Sequence, residues 1–186
     1  TVDQQVLTVK NSGADVFMSF AAAKLSAQAI RKAYDIGWKP VYIVPIGGSS
    51  KHTVLEPAGL EKAIGIISGS WLKDPSDAQW AKDAGLRDYL AFMKKYYPEG
   101  DPEDLFNMNG YTMAQLMTHV LRQCRDDLTR ENVMRQATSI KDLEMPLLLP
   151  GIKIGTSPED YHPVKQIQLA RFDGKHWVRF GELMGR

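Results

Sequence analysis

The sequence predicts an α/β protein with a parallel β-sheet, to which a group of helices and a C-terminal β-hairpin are added. Between residues 14 and 71, short β-branched runs alternate with a longer helical stripe, which is the pattern of a βαβ unit. Between residues 76 and 145, amphipathic segments follow one another with no strand between them. Near the end of the chain, the turn dipeptide Asp173-Gly174 separates two strand-like runs.

Residues 1–72 contain the elements of the predicted sheet. Val2, Val6 and Val9 lie on one helical stripe that ends before Gly13, so the pattern predicts a helix already under way at residue 1. The next elements in order are a strand at residues 14–20, a helix at 21–36, a strand at 41–44, a short helix at 55–62 and a strand at 63–71. The right-handed crossover rule predicts that the three strands lie side by side and parallel.

The polar, proline-containing stretch at residues 72–77 indicates a domain crossing. Three amphipathic helices are predicted beyond it, marked by Leu86, Leu90, Met93 and Tyr97, by Leu116, Val120 and Leu121, and by a third helix that Thr129 caps. Residues 76–145 supply no sheet for these helices to cover. The chain by itself is therefore expected to hide the apolar stripes, either by packing the helices on its own sheet-containing part or, as we favour, in a homodimer. An irregular return segment then leads to a hairpin of residues 165–172 and 176–183.

Composition and charge exclude several classes of function. The 186 residues contain 23 Lys and Arg against 22 Asp and Glu, so no positive excess favours nucleic acid. The single cysteine, Cys124, cannot form an internal disulfide, and the scattered histidines have no metal-site spacing. No apolar run approaches the roughly 20 residues of a membrane helix. Neither a cofactor fingerprint nor a catalytic constellation is visible, so we expect no enzyme, no cofactor and no metal.

Several short segments resemble, in their order along the chain, the type I periplasmic binding proteins, in particular the branched-chain amino acid receptors of ABC importers. The segments are GADVFM at residues 13–18, SAQAIRKA at 26–33, GWKP at 37–40, EPAGLE at 56–61, GII at 65–67, MKKYYP at 93–98, the helix around Tyr111 and LARFDG at 169–174. The resemblance implies the C-terminal half of such a receptor: residues 1–72 and 151–186 in the second lobe, and residues 73–150 as helices of the first lobe without their sheet.

The resemblance also implies where a ligand is bound. The family's amino acid receptors carry a Gly-Gly-aromatic turn after one second-lobe strand and, after the next, an acidic residue that pairs with the ligand's ammonium. These positions fall on Ala21 to Ala23 and on Ile46, so both depart from the amino acid-binding pattern. Trp71, which ends the third predicted strand before the domain crossing, could stack on a ligand. The candidate ligand-binding residues are Phe20, Ala21, Ala22, Ala23, Ile46, Gly47, Gly48, Ser49 and Trp71.

The sequence therefore predicts the solute-binding component of an ABC importer, periplasmic or lipid-anchored outside the cytoplasm, with a membrane permease as its partner. The solute is expected to be a small aliphatic or aromatic organic acid, or an amino acid-like molecule. One alternative is the ligand-sensing domain of a receptor or transcription regulator with the same fold. Another is a small doubly wound enzyme, which would need a cofactor or acid/base motif.

Overall fold

The computed structural model describes residues 1–185, and the chain divides into two compact units. The first unit contains residues 1–70 and 168–182, and the second contains residues 71–167 with the last residues from Leu183 onward. The first boundary lies two residues from the crossing expected at residue 72. Residues 151–167 group with the helices of the second unit, whereas the sequence interpretation places them with the hairpin. The assignment of the segments to two receptor lobes stays a prediction.

A five-stranded sheet forms the framework of the first unit. Its strands are β1 (Val16–Met18), β2 (Val41–Val44), β3 (Ile67–Ser70), β4 (Gln166–Phe172) and β5 (Trp177–Gly185), in the spatial order β1-β2-β3-β4-β5. β1 pairs with β2 and β2 with β3 in parallel, and β3 pairs with β4 antiparallel. This confirms the prediction of three neighbouring parallel strands. β1 and β3 are shorter than predicted, and a 3₁₀ turn at residues 60–63 precedes β3.

Three helices and two helical turns pack on one face of this sheet. The helices are α1 (Asp3–Asn11), α2 (Ala23–Asp35) and α3 (Glu56–Ala58). The core between helices and sheet contains Phe17, Ile30, Tyr42, Val44 and Phe172, each at most 9% exposed. The short helix predicted at residues 55–62 is instead a π turn at Lys51–Leu55, then α3, then the 3₁₀ turn.

The other face of the sheet is exposed and apolar near β1. Strand alternation and register place Val16 beside Val41 and Met18 beside Ile43 on this face. Val16, Val41 and Met18 are 44%, 50% and 54% exposed. Parallel sheets usually bury both faces, so this surface, here called the open face, lacks the cover that such strands normally have.

The second unit has its own core. Its helices are α4 (Ala84–Tyr96), α5 (Leu105–Cys124) and α6 (Arg130–Ala137). Leu86, Met93 and Val120 are buried, together with the apolar run at residues 147–149 and with Ile152 and Ile154. The chain therefore covers part of these helical stripes itself, because the return segment supplies apolar partners. Leu90, Tyr97 and Leu121 remain 38–44% exposed. No helix within residues 1–185 has the length and apolar character to cross a membrane.

Gly85→Ala is expected to lower the free energy of unfolding of the second unit by about 1–3 kcal/mol, because overpacking forces the backbone apart. A Cβ at Gly85 would lie 2.9 Å from the carbonyl oxygen of Pro146. That oxygen also accepts a hydrogen bond from Lys73 Nζ at 2.6 Å, and Lys73 is held in turn by Asp83. Pro146 and the side chains bound to it therefore have little freedom to move away from an added methyl group.

Gly110→Ala is the matched control. Gly110 is an exposed residue of α5, and a Cβ added there would meet no neighbouring atom within 4 Å, so alanine should stabilise the helix by up to about 1 kcal/mol. Urea unfolding of both variants is the measurement. A Gly85→Ala variant as stable as the wild type would show that α4 does not approach Pro146 this closely.

Candidate ligand-binding site

Two of the predicted ligand-binding segments follow neighbouring parallel strands. Residues 20–23 follow β1, and residues 46–49 follow β2. The backbone N–H of Ser19 donates to the carbonyl of Ile43 at 3.1 Å and extends the pairing past the end of β1. The structure therefore brings both segments to the same carboxyl edge of the sheet, where open α/β sheets place their ligand sites.

The segment after β1 ends in the N-terminus of α2. Phe20 is 74% exposed, although it is a large aromatic residue. Ala22 is the N-cap residue of α2 and has no side chain that could accept from the first-turn N–H groups. The hydroxyl of Ser26 donates instead to the carbonyl of Ala21 at 2.8 Å, which fixes the chain just before the helix. The first-turn N–H groups of α2 thus lack a side-chain cap.

The segment after β2 is a tight 3₁₀ turn. Ile46–Gly48 form the turn, closed by a hydrogen bond from the N–H of Gly48 to the carbonyl of Pro45 at 2.8 Å. Both the N–H and the hydroxyl of Ser49 donate to the carbonyl of Ile46, at 3.1 and 2.7 Å. A Cβ at Gly48 would lie 3.1 Å from Val44 Cβ, so glycine permits the turn to pack on the end of β2.

Neither segment contains a carboxylate. The charged residues that follow them directly are Lys24 and Lys51, and both are basic. Tyr42 lies in the core on β2, and burial raises its pKa to about 12, so its hydroxyl stays neutral. These two segments can therefore contact apolar and anionic groups, but they carry no counter-charge for an ammonium. Within residues 1–185, no group of three His, Cys, Asp or Glu residues is placed to hold a metal ion.

Trp71 belongs to the second unit. It directly follows β3 along the chain, its carbonyl accepts from the N–H of Leu149 at 2.8 Å, and its side chain packs partly buried against the second unit's core. Its role at a ligand stays a prediction. Two grooves of the first unit, of about 580 and 370 Å³, are lined by none of the predicted site residues.

One contact at the candidate site was missed by the sequence interpretation. The ring of Trp177 packs on that of Phe172, with the ring centroids 5.4 Å apart. Its indole N–H, however, also donates to the carbonyl of Ser49 at 3.1 Å. The two residues are 128 positions apart, and no local pattern in the sequence relates them.

Comparison with known proteins shows which fold and family the chain is similar to. A family model described as periplasmic binding protein matches residues 2–176. A branched-chain amino acid ABC transporter protein from Thermus thermophilus with bound valine has 14% identity and a TM-score of 0.81, with 100% of this chain and 50% of that one covered. A substrate-binding protein of an ABC transporter from Aeropyrum pernix has 9% identity and a TM-score of 0.80, with coverage of 100% and 48%. A leucine-binding protein from Thermotoga maritima has 13% identity and a TM-score of 0.70, with coverage of 100% and 49%.

The chain spans about half the length of these solved structures. At such low identities the structural likeness shows the fold, which is half of a type I periplasmic binding protein, as predicted. None of the curated proteins matches the chain significantly. The family and the structural neighbours are substrate-binding proteins and not enzymes. Since the family model spans residues 2–176, the chain belongs to the periplasmic binding protein family.

Proposed function

We propose that this chain is part of the solute-binding component of an ABC importer, located outside the cytoplasm, and that it binds a small organic acid for delivery to a membrane permease. Membership of the periplasmic binding protein family supports a role in solute binding. The neighbours described as binding valine and leucine support a solute of amino acid size. Receptors of this fold close two lobes over the solute by hinge bending.

The side chain at position 46 is the observation on which the ligand class depends. By the resemblance, Ile46 falls where the amino acid receptors of the family have an acidic partner for the ammonium. Residues 19–23 and 45–50 contain no carboxylate. Burying an unpaired ammonium in a closed cleft costs several kcal/mol, whereas micromolar binding amounts to about 8 kcal/mol in total. A zwitterionic amino acid would therefore lose much of its affinity, and an acid without the α-amino group would not.

The surrounding charges favour the same ligand class. The N-terminus of α2, with Ala22 as its N-cap, is the positive end of a 13-residue helix. A helix N-terminus stabilises a nearby anion by about 0.3–1 kcal/mol and disfavours a cation. Lys24 and Lys51 act in the same direction. Exposed Phe20 and the small alanines beside it leave space for an aliphatic or aromatic group.

Mass spectrometry of the solute that co-purifies with the receptor tests this function. We expect a carboxylic acid without an α-amino group, released when the receptor is denatured. A co-purified amino acid would contradict the ligand class but leave the solute-binding role intact. A receptor that binds neither class in a panel of acids and amino acids would contradict the role itself.

The 186-residue chain alone is expected to self-associate as a homodimer. The open face exposes Val16, Met18 and Val41, and apolar patches of this kind mark interfaces. Size-exclusion chromatography with light scattering should show a dimer at micromolar concentrations, and Met18→Lys should shift it toward the monomer. The helical stripes give a weaker reason for association than expected, because Leu86, Met93 and Val120 are already buried. A wild-type chain that is monomeric at all these concentrations would contradict the dimer.

A further inference from the structure

The C-terminal hairpin reaches the candidate ligand loop, residues 45–50, through one side chain. Trp177 is the first residue of β5, and its Nε1–H donates to the carbonyl of Ser49 at 3.1 Å. The ring itself is fixed by packing on Phe172, which is 1% exposed and lies at the end of β4. The core therefore holds the indole N–H of Trp177 in a nearly fixed position.

The other hydrogen bonds described for this loop differ in kind. Those between Gly48 and Pro45 and between Ser49 and Ile46 join residues within the loop. Three more, donated to Ser50 by the N–H groups of Thr53, Val54 and Leu55, join the loop to the π turn that follows it. They determine the shape of the turn, but they do not fix its position relative to the hairpin. The bond from Trp177 joins the loop to the sheet through a residue 128 positions away.

We propose that Trp177 is a positioning residue for the ligand loop, acting through the Ser49 carbonyl to hold Ile46 and Gly47 at the carboxyl edge of the sheet. A loop held in its binding conformation before the ligand arrives loses less conformational entropy on binding. The consequence for ligand affinity rests on the proposed function, whereas the restraint on the loop can be measured without any ligand.

Trp177→Phe in the 186-residue chain is the decisive variant, because it removes the N–H donor and keeps an aromatic ring against Phe172. Trp38→Phe is the matched control, since Trp38 also packs partly buried on the same core, with its ring 5.1 Å from that of Phe17. Hydrogen exchange read by mass spectrometry measures the amides of residues 45–55. We expect exchange there to be about 3–10-fold faster in Trp177→Phe, as for the loss of one hydrogen bond, and unchanged in Trp38→Phe.

Two results would overturn the positioning role. One is unchanged exchange of residues 45–55 in Trp177→Phe. The other is faster exchange spread equally over the whole first unit with a lower melting temperature, which would make Trp177 a packing residue only.

A second experiment distinguishes a failure of this proposal from a failure of the proposed function. In the receptor with both halves, 3-phenylpropanoate and 4-methylpentanoate serve as probes, and Trp177→Phe should raise their Kd about 3–10-fold. Faster loop exchange in the variant, with amino acids but neither acid bound by the wild type, would support the positioning of the loop and contradict the ligand class. Binding of an acid with equal Kd in the wild type and the variant would contradict the effect of Trp177 on the site.

Discussion

The Ile46→Glu variant is expected to bind amino acids at least tenfold more tightly than the wild-type receptor, and the matched organic acids at least tenfold more weakly. The new carboxylate would lie in the turn after β2, at the edge where the two candidate segments meet. Close charge pairs at binding sites couple by about 1.5–7 kcal/mol, and tenfold in affinity corresponds to about 1.4 kcal/mol. The same charge would repel a ligand carboxylate on this side of the cleft.

Ile46→Gln is the control for this exchange of specificity. It has the size and polarity of the glutamate variant without the charge, and the carbonyl of residue 46 can still accept from Ser49. Isothermal titration calorimetry of both variants should show the gain for amino acids only in Ile46→Glu. An equal response of the two variants would show that the side chain at position 46 does not face the ligand's amino group.

The buried ring of Phe172 is expected to contribute strongly to the stability of the first unit. Phe172→Ala should lower the free energy of unfolding of this unit by about 3–5 kcal/mol, as for other buried phenylalanines. The Phe172 ring is 1% exposed and packs against Trp177, and its backbone N–H donates to the carbonyl of Ile66 at 2.9 Å. Alanine would leave a cavity where the hairpin meets the sheet.

Phe180→Ala in the same hairpin is the matched control. Phe180 is 37% exposed, and the guanidinium carbon of Arg171 lies 5.4 Å from the centroid of its ring. Replacing Phe180 by alanine should therefore lower the free energy of unfolding by less than about 1 kcal/mol. Urea unfolding followed by circular dichroism compares the two variants. Equal losses in the free energy of unfolding would contradict the assignment of Phe172 to the core and of Phe180 to the surface.

The parallel strands could be predicted because their signals are local. β1 and β2 are short apolar runs, β3 begins at the end of the apolar residues 63–67, and the helical stripe between β1 and β2 identifies the crossover. The hairpin turn was predictable for a similar reason. The Asp173 carboxylate accepts from the N–H groups of His176 and Lys175, which holds its pKa below the usual range, and Gly174 has φ of +105°.

Elements without a periodic pattern could not be predicted in the same way. The run Leu147–Leu149 lies between prolines in an irregular segment, yet all three residues are at most 3% exposed in the second core. Its partners are helices far away in the sequence. The same limit applies to the candidate site: strand ends predict that residues 20–23 and 46–49 share an edge, but the bond from Trp177 to Ser49 depends on tertiary packing.

Selectivity for acids over amino acids is tested most directly by titration of the wild-type receptor, with both halves present, against two matched pairs of ligands. The pairs are 3-phenylpropanoate with phenylalanine, and 4-methylpentanoate with leucine, which differ within each pair only at the α-amino group. Because Ile46 offers no counter-charge to an ammonium, the acid of at least one pair should bind at least tenfold more tightly than its amino acid. Amino acids that bind tenfold or more tightly than the acids would contradict the role assigned to Ile46.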